Sequence, residues 1–206
     1  MSFRNKVIWI TGASSGIGKA LAIELSNQNA LLIISARNKN SLEIVKKSCK
    51  NPKNVWIISL DLEKDTTFNE ITQRAVNVFG RIDVLVNNGG ISQRSLATET
   101  HISVDKKIME VNYVGTIALT KALLPHFIEN KKGHFAVTTS MVGLIGTPLR
   151  SSYAASKHAL HGFFDSLRAE VYDDNIAVTL ICPGFVSTNI SMNALTGDGT
   201  SQQKMD

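Results

Sequence analysis

Six short apolar runs rich in β-branched residues alternate with segments of helical period along the chain, and this alternation narrows the possible folds more than any single motif. The runs at 6–11, 31–36, 55–60, 82–87, 134–140 and 176–182 have strand length, and the segments at 16–28, 39–50, 66–79, 103–129 and 152–173 have helix length. Strand–helix–strand alternation calls for a parallel sheet joined by right-handed crossovers. Near-continuous apolar strands such as Leu31-Leu32-Ile33-Ile34 fit a sheet covered by helices on both faces. The expected fold is α/β: a doubly wound parallel sheet in three α/β/α layers, with ligands bound beyond the carboxyl ends of the strands.

Bulk properties exclude several other classes. The chain has 206 residues, 43% of them hydrophobic, so 1–206 is expected to form a single domain with a substantial core. No apolar run approaches the roughly 20 residues that cross a bilayer, so a cytoplasmic protein without an integral membrane segment is expected. Cys49 and Cys182 fall in different elements and read as reduced packing residues, and no metal-ligand set stands out. The net charge of +5 comes from 22 basic and 17 acidic residues. Lys46, Lys47, Lys50, Lys53, Lys131 and Lys132 gather at helix ends, where cations favour the helix dipole, and no basic stripe is interleaved with aromatics. A nucleic-acid partner is therefore not expected. Residues 184–206 are expected to form a substrate-side loop or lid, since from Ser187 onward Asn, Ser, Thr, Gly and Gln dominate.

The first strand runs into Gly12, and Gly16 and Gly18 precede the first helical pattern. Glycines here permit a tight turn and let backbone N–H groups approach a pyrophosphate at a helix N-terminus. Three residues separate Gly12 from Gly16, one more than in the GxGxxG pattern. At the end of the second strand, where NAD-selective folds often place a carboxylate, the chain has Ser35-Ala36-Arg37. A guanidinium would welcome a 2′-phosphate, so NADP is expected over NAD; the alternative is a surface arginine at the start of the next helix. Asp61-Leu62 and Asn88-Gly89-Gly90 fall on the same edge, Asp61 serving either as a helix cap or as an adenine contact.

Tyr153 and Lys157 stand at i and i+4 and share a helical face, and Ser140 lies thirteen residues upstream of Tyr153. A free phenol titrates near pH 10, so proton transfer at neutral pH needs a shift of about 3 pH units, part of which a nearby ammonium supplies. Ser140, at the end of the fifth strand, can donate to a substrate oxygen as charge develops on it.

With these motifs in this order, the chain resembles the short-chain dehydrogenase/reductase family over essentially its whole length, and within it is similar to the dehydrogenase/reductase member 7 and 7B group. The matching positions are Thr11 to Gly18, Asn87 to Gly90, Asn112, Ser140, Tyr153, Lys157, Pro183-Gly184 and Thr188. The resemblance implies a Rossmann-type domain and an oxidoreductase working between nicotinamide and a carbonyl or secondary alcohol. It assigns Tyr153 as proton donor or acceptor, and Lys157 to lower its pKa and hold the nicotinamide ribose. Ser140 would position the carbonyl, and Asn112 would hold a water in a proton relay. Ser14, Ser15, Ile17, Asp61, Leu62, Asn88, Pro183, Gly184, Val186 and Thr188 are implied as further cofactor contacts. Members of that group act on lipid-like or steroid-like carbonyls with NADP and often carry an N-terminal membrane anchor, which is not expected here. Homo-dimers or tetramers are implied. Gly89-Gly90 replaces the commoner Ala-Gly, and the chain is expected to end before the family's last strand, leaving 176–182 as an apolar sheet edge.

Met141, Val142, Leu144, Ile145 and Leu149, with Phe185, Val186, Ile190 and Met192, are expected around the reacting carbon. They suggest a hydrophobic ketone or alcohol, or serve only to pack the lid. A nucleotide-binding regulator with little turnover, and an epimerase or dehydratase using the same Tyr and Lys, are the competing readings.

Overall fold

The computed structural model describes residues 2–64 and 67–203. Six parallel strands form one sheet in the order β3-β2-β1-β4-β5-β6. They are β1 (Val7–Thr11), β2 (Leu31–Ala36), β3 (Val55–Ser59), β4 (Val84–Asn87), β5 (Gly133–Thr138) and β6 (Ile176–Ile181). The order reverses between β1 and β4, and this switch point opens a crevice at the carboxyl ends of the strands.

Helices α1 (Gly16–Asn27) and α2 (Lys39–Ser48) cover one face; α3 (Phe68–Phe79), α5 (Gly115–Glu129) and α6 (Ser151–Glu170) cover the other, with α4 (Ile102–Met109) beside α6. Alternation along β1 explains the two layers of core. Val7 and Trp9 join Phe127, Phe135 and Phe164 on one side, whereas Ile8 and Ile10 join Leu32, Ile34, Leu42 and Val45 on the other. Trp9 is fully buried, and its indole N–H donates to Ser35 Oγ at 2.9 Å, so no polar atom of the indole is left unpaired.

The strands and helices fall within three residues of their expected places, with three informative differences. β4 begins at Val84 rather than at 82, because Asp83 turns its carboxylate to accept from Val7 N at 2.8 Å. The expected helix over 103–129 is broken by a π turn, Glu110–Val114, between α4 and α5. The fifth strand stops at Thr138, so Ser140 lies beyond it and caps a single 3₁₀ turn, Met141–Gly143, accepting from Val142 N. Thr66, the expected start of the third helix, lies outside the described residues.

β6 is an edge of the sheet among the described residues, burying Ile176 and Val178 and leaving Ile181 43% exposed. Residues 192–203 return to the body of the protein. Leu195 N donates to Ser92 O and Arg94 N to Leu195 O, both at 2.8 Å, and His101 N donates to Gly197 O at 2.9 Å. The far end of this strap is held by a turn in which Asp198 accepts from Thr196 and Thr200. Residues 204–206 of the expected lid lie outside the described residues. No helix among the described residues is long and apolar enough to cross a membrane.

Candidate active site

Every residue expected at the nucleotide except Gly18 lines one cleft of about 1120 Å³ that runs across the switch point. Gly18 sits behind the turn, against the carbonyl of Gly12. Gly12 has φ +63°, and a Cβ there would lie 2.7 Å from Gly89 Cα, so the two loops meet backbone to backbone. Thr11 fastens this contact: its Oγ1 accepts from Asn88 N and Gly89 N, while the Asn88 amide donates to the carbonyls of Thr11 and Gly12. The Asn88 side chain thus holds the cradle together from within. Ser15 precedes α1 and makes no side-chain cap, so protein side chains do not occupy the first-turn N–H groups from that position.

At the end of β2, exposed Arg37 lines the cleft one residue before Asn38, which caps α2 by accepting from Ser41 N at 3.0 Å. The guanidinium is therefore borne on the strand-to-helix turn and not on the helix. Asp61 lines the cleft and accepts from Glu63 N at 3.2 Å in a local turn; it does not cap the following helix, which begins at Phe68 with Thr67 as its N-cap. Thr188 packs over Gly16, with its Cγ2 3.1 Å from where a Cβ would stand.

Ser140, Tyr153 and Lys157 come together in the cleft wall, 9%, 8% and 5% exposed. Tyr153 lies in the first turn of α6 and Lys157 one turn on. Burial pushes the Tyr153 phenol above its ordinary value; a hydrogen bond with Ser140 and the charge of Arg150 pull it partly back. Lys157, the residue expected to lower the phenol, lines the same wall. Its ammonium donates to Thr138 O at 2.9 Å and lies 5.7 Å from the tyrosine ring centroid. Burial lowers Lys157 itself to about 8.

Asn112 stands outside the cleft, fully buried in the π turn. Its Oδ1 accepts from Ile91 N at 2.8 Å, and its Nδ2 donates to Ile91 O at 2.9 Å and Ser156 Oγ at 3.0 Å. Both donors are taken, so the side chain clamps the loop after β4 to α6. Ser156, which also donates to Tyr153 O at 2.7 Å, had no role in the sequence reading, although it lies on the same helical face as Tyr153 and Lys157. Leu144, Leu149 and Met192 do not line the cleft; Met141, Val142, Ile145, Phe185, Val186 and Ile190 do. Among the described residues no three His, Cys, Asp or Glu side chains converge as a metal site.

A family model described as short chain dehydrogenase matches residues 6–198. The chain belongs to the short-chain dehydrogenase family. It is 46% identical over 200 residues to human dehydrogenase/reductase SDR family member 7, covering 94% of this chain and 59% of that protein. It is 48% identical over 207 residues to the SDR family protein 7-like of Anopheles gambiae, covering 98% and 65%. The chain thus spans about three-fifths of the length of the curated relatives it matches. Among solved structures, ElxO with NADP bound shares 32% identity at a TM-score of 0.85, covering 89% of this chain and 75% of that one. Levodione reductase shares 27% at a TM-score of 0.88, covering 93% and 76%.

The buried ammonium of this short-chain dehydrogenase has a measurable consequence. Lys157 titrates near 8 when folded against an ordinary 10.5, so the unfolded chain binds the extra proton between those values. Stability is therefore lowest below pH 8 and rises with pH through that window. The burden at pH 7 is about 3 kcal/mol, and leaving the Thr138 carbonyl unpaired costs about 1 kcal/mol. Lys157→Met is expected to stabilise the protein by about 2 kcal/mol at pH 7. Urea unfolding of both proteins at pH 7 and pH 10 checks this: the advantage shrinks at the higher pH, where an equal difference would contradict it.

Proposed function

We propose that the protein is an NADP-dependent oxidoreductase acting on an apolar ketone or its secondary alcohol, with nucleotide and catalytic sites in one unit. The observation that carries this reading is the convergence of Ser140, Tyr153 and Lys157 in the wall of a cleft whose other end is the Gly12–Gly89 backbone cradle. The cradle suits a pyrophosphate because Gly12, Gly16, Gly89 and Gly90 line it without side chains, leaving their backbone open to the cleft. Arg37 would meet a 2′-phosphate, and Ser15, Ile17 and Thr188 would border the pyrophosphate and nicotinamide. Relatives in the same fold are known with NADP bound, as in ElxO.

Bound NADPH would supply the hydride to the carbonyl carbon. Tyr153 supplies the proton to the carbonyl oxygen, so a ketone gains one hydride and one proton and becomes an alcohol. A phenol raised by burial is neutral at physiological pH, the form required of a proton donor, which favours carbonyl reduction. Ser140 Oγ holds the same oxygen as negative charge grows on it. Lys157, charged below about pH 8, stabilises the phenolate left behind. The apolar wall of Met141, Val142, Ile145, Phe185, Val186 and Ile190 favours a hydrophobic substrate over a polyol.

Cofactor choice is tested by titrating the protein with NADPH and NADH and following nicotinamide fluorescence. A charge-assisted bond of roughly 1.5–3 kcal/mol from Arg37 corresponds to about a 10- to 150-fold preference for NADPH. In Arg37→Ala that preference is expected to collapse toward parity by loss of NADPH affinity alone. An unchanged ratio would remove Arg37 from the site.

A further inference from the structure

We propose that Arg150 is a positioning residue for Tyr153: anchored on the buried Ser92 hydroxyl one helical turn before the phenol, its guanidinium supplies the lasting positive charge that steadies the phenolate. The inference deepens the reading of Tyr153 as proton donor and rests on it.

The geometry begins with spacing. Arg150 is the N-cap of α6, three residues before Tyr153 and just ahead of the helix's first turn, and both line the cleft. Arg150 Nη1 donates to Ser92 Oγ at 3.2 Å, and Ser92 is 1% exposed. Ser92 is itself fixed from the other side, because its carbonyl accepts from Leu195 N in the strap. The long side chain therefore has a rigid anchor inside the protein and is held within the cleft wall.

The charges around the phenol give that anchor its meaning. On α6 they are Arg150 and Lys157, and on the loop after β4 there is Arg94. On α4, Asp105 accepts from Ser152 Oγ, while Lys107 lines the cleft and pairs with Glu63 at 3.3 Å. Asp61 lines the cleft from the end of β3, and Asp198 of the strap is turned into its own Thr196–Thr200 hydrogen bonds. The phenol is thus flanked along its own helix by two cations, one turn to either side. They are not equivalent. Lys157 titrates near 8 and its ammonium is committed to Thr138 O, so it weakens as a counter-charge when pH rises. A guanidinium keeps its charge throughout the range in which a phenol ionises. The charge of Arg150 already acts to lower the phenol.

The test reads the phenol directly and needs neither substrate nor turnover, so it stands apart from the success of the oxidoreductase reading. Phenolate absorbance is followed after rapid pH jumps in the intact chain, and the Tyr153→Phe trace is subtracted from each to isolate Tyr153. In Arg150→Gln the midpoint is expected to rise by about one pH unit, a tenfold loss of phenolate at a given pH. Arg150→Lys is expected to recover most of that shift, which a purely structural role would not predict. Ser92→Ala, which frees the anchor but keeps the charge, is expected to move the midpoint the same way by less. A folded Arg150→Gln protein titrating with the parent would overturn the proposal, as would a folded Arg150→Lys protein that recovers nothing. Should circular dichroism show Arg150→Gln unfolded, an unmoved midpoint in Ser92→Ala would overturn it alone.

Discussion

Tyr153→Phe is expected to lower turnover by about 10²–10⁴-fold, some 3–5 kcal/mol of transition-state stabilisation, while leaving NADPH affinity near that of the parent. The reasoning rests on how little else the hydroxyl does. The ring is 8% exposed and wedged in the first turn of α6, so phenylalanine fills the same space. The helix on either side keeps its own fastenings, from Ser152 to Asp105 and from Ser156 to Asn112, and the nucleotide cradle is built from other elements. What is lost is the proposed proton donor and its hydrogen bond with Ser140. Steady-state NADPH consumption with an apolar ketone, paired with a fluorescence titration of NADPH, separates the two quantities. A variant that keeps most of its turnover would place the proton transfer elsewhere.

Gly115→Ala is expected to destabilise the protein by about 3 kcal/mol or more, although alanine in a helix is ordinarily better than glycine by about 1 kcal/mol. Gly115 opens α5 directly after the π turn. A Cβ there would lie 2.0 Å from the carbonyl oxygen of Leu62 and 2.8 Å from its carbonyl carbon, and these are backbone atoms with no rotamer to yield. Either α5 withdraws from the sheet or the Asp61–Leu62 turn moves outward. The first opens the core around Leu119 and Leu123, and the second displaces the edge of the cleft that Asp61 and Leu62 line. The melting temperature should fall by roughly 6–12 °C for a chain of this size. Nucleotide affinity should fall in the fraction that remains folded. A variant as stable as its parent would show that the contact relaxes without strain.

Much of the sheet was legible because its strands are uninterrupted apolar runs ended by glycine or polar turns, and such runs have few alternatives. The π turn was not legible: Glu110 to Val114 continue the helical pattern of their neighbours, and the extra residue per turn arises from how Asn112 reaches Ile91 and Ser156. The cleft residues were legible by motif, but their division of labour was not. Asn88 and Asn112 are engaged with backbone, and the ammonium of Lys157 is turned to Thr138, through contacts from 19 to 77 residues apart in sequence. The strap at 192–203 is polar enough to read as a loop, and its order comes from main-chain bonds to residues 92–101 that leave no side-chain signature. Gly197, pressed to the carbonyl of Glu99, is the one local trace of it.

Isotope transfer tests hydride transfer most directly. The protein is incubated with an apolar ketone and NADPH carrying deuterium at both positions of nicotinamide C4, and the products are weighed by mass spectrometry. The proposed reaction places one deuterium on the carbinol carbon for each NADPH consumed, and Tyr153→Phe slows its appearance. Product formed with the label retained on the cofactor would instead mean epimerase or dehydratase chemistry, and an untouched ketone beside tightly bound NADPH would mean a nucleotide-binding protein without this reaction.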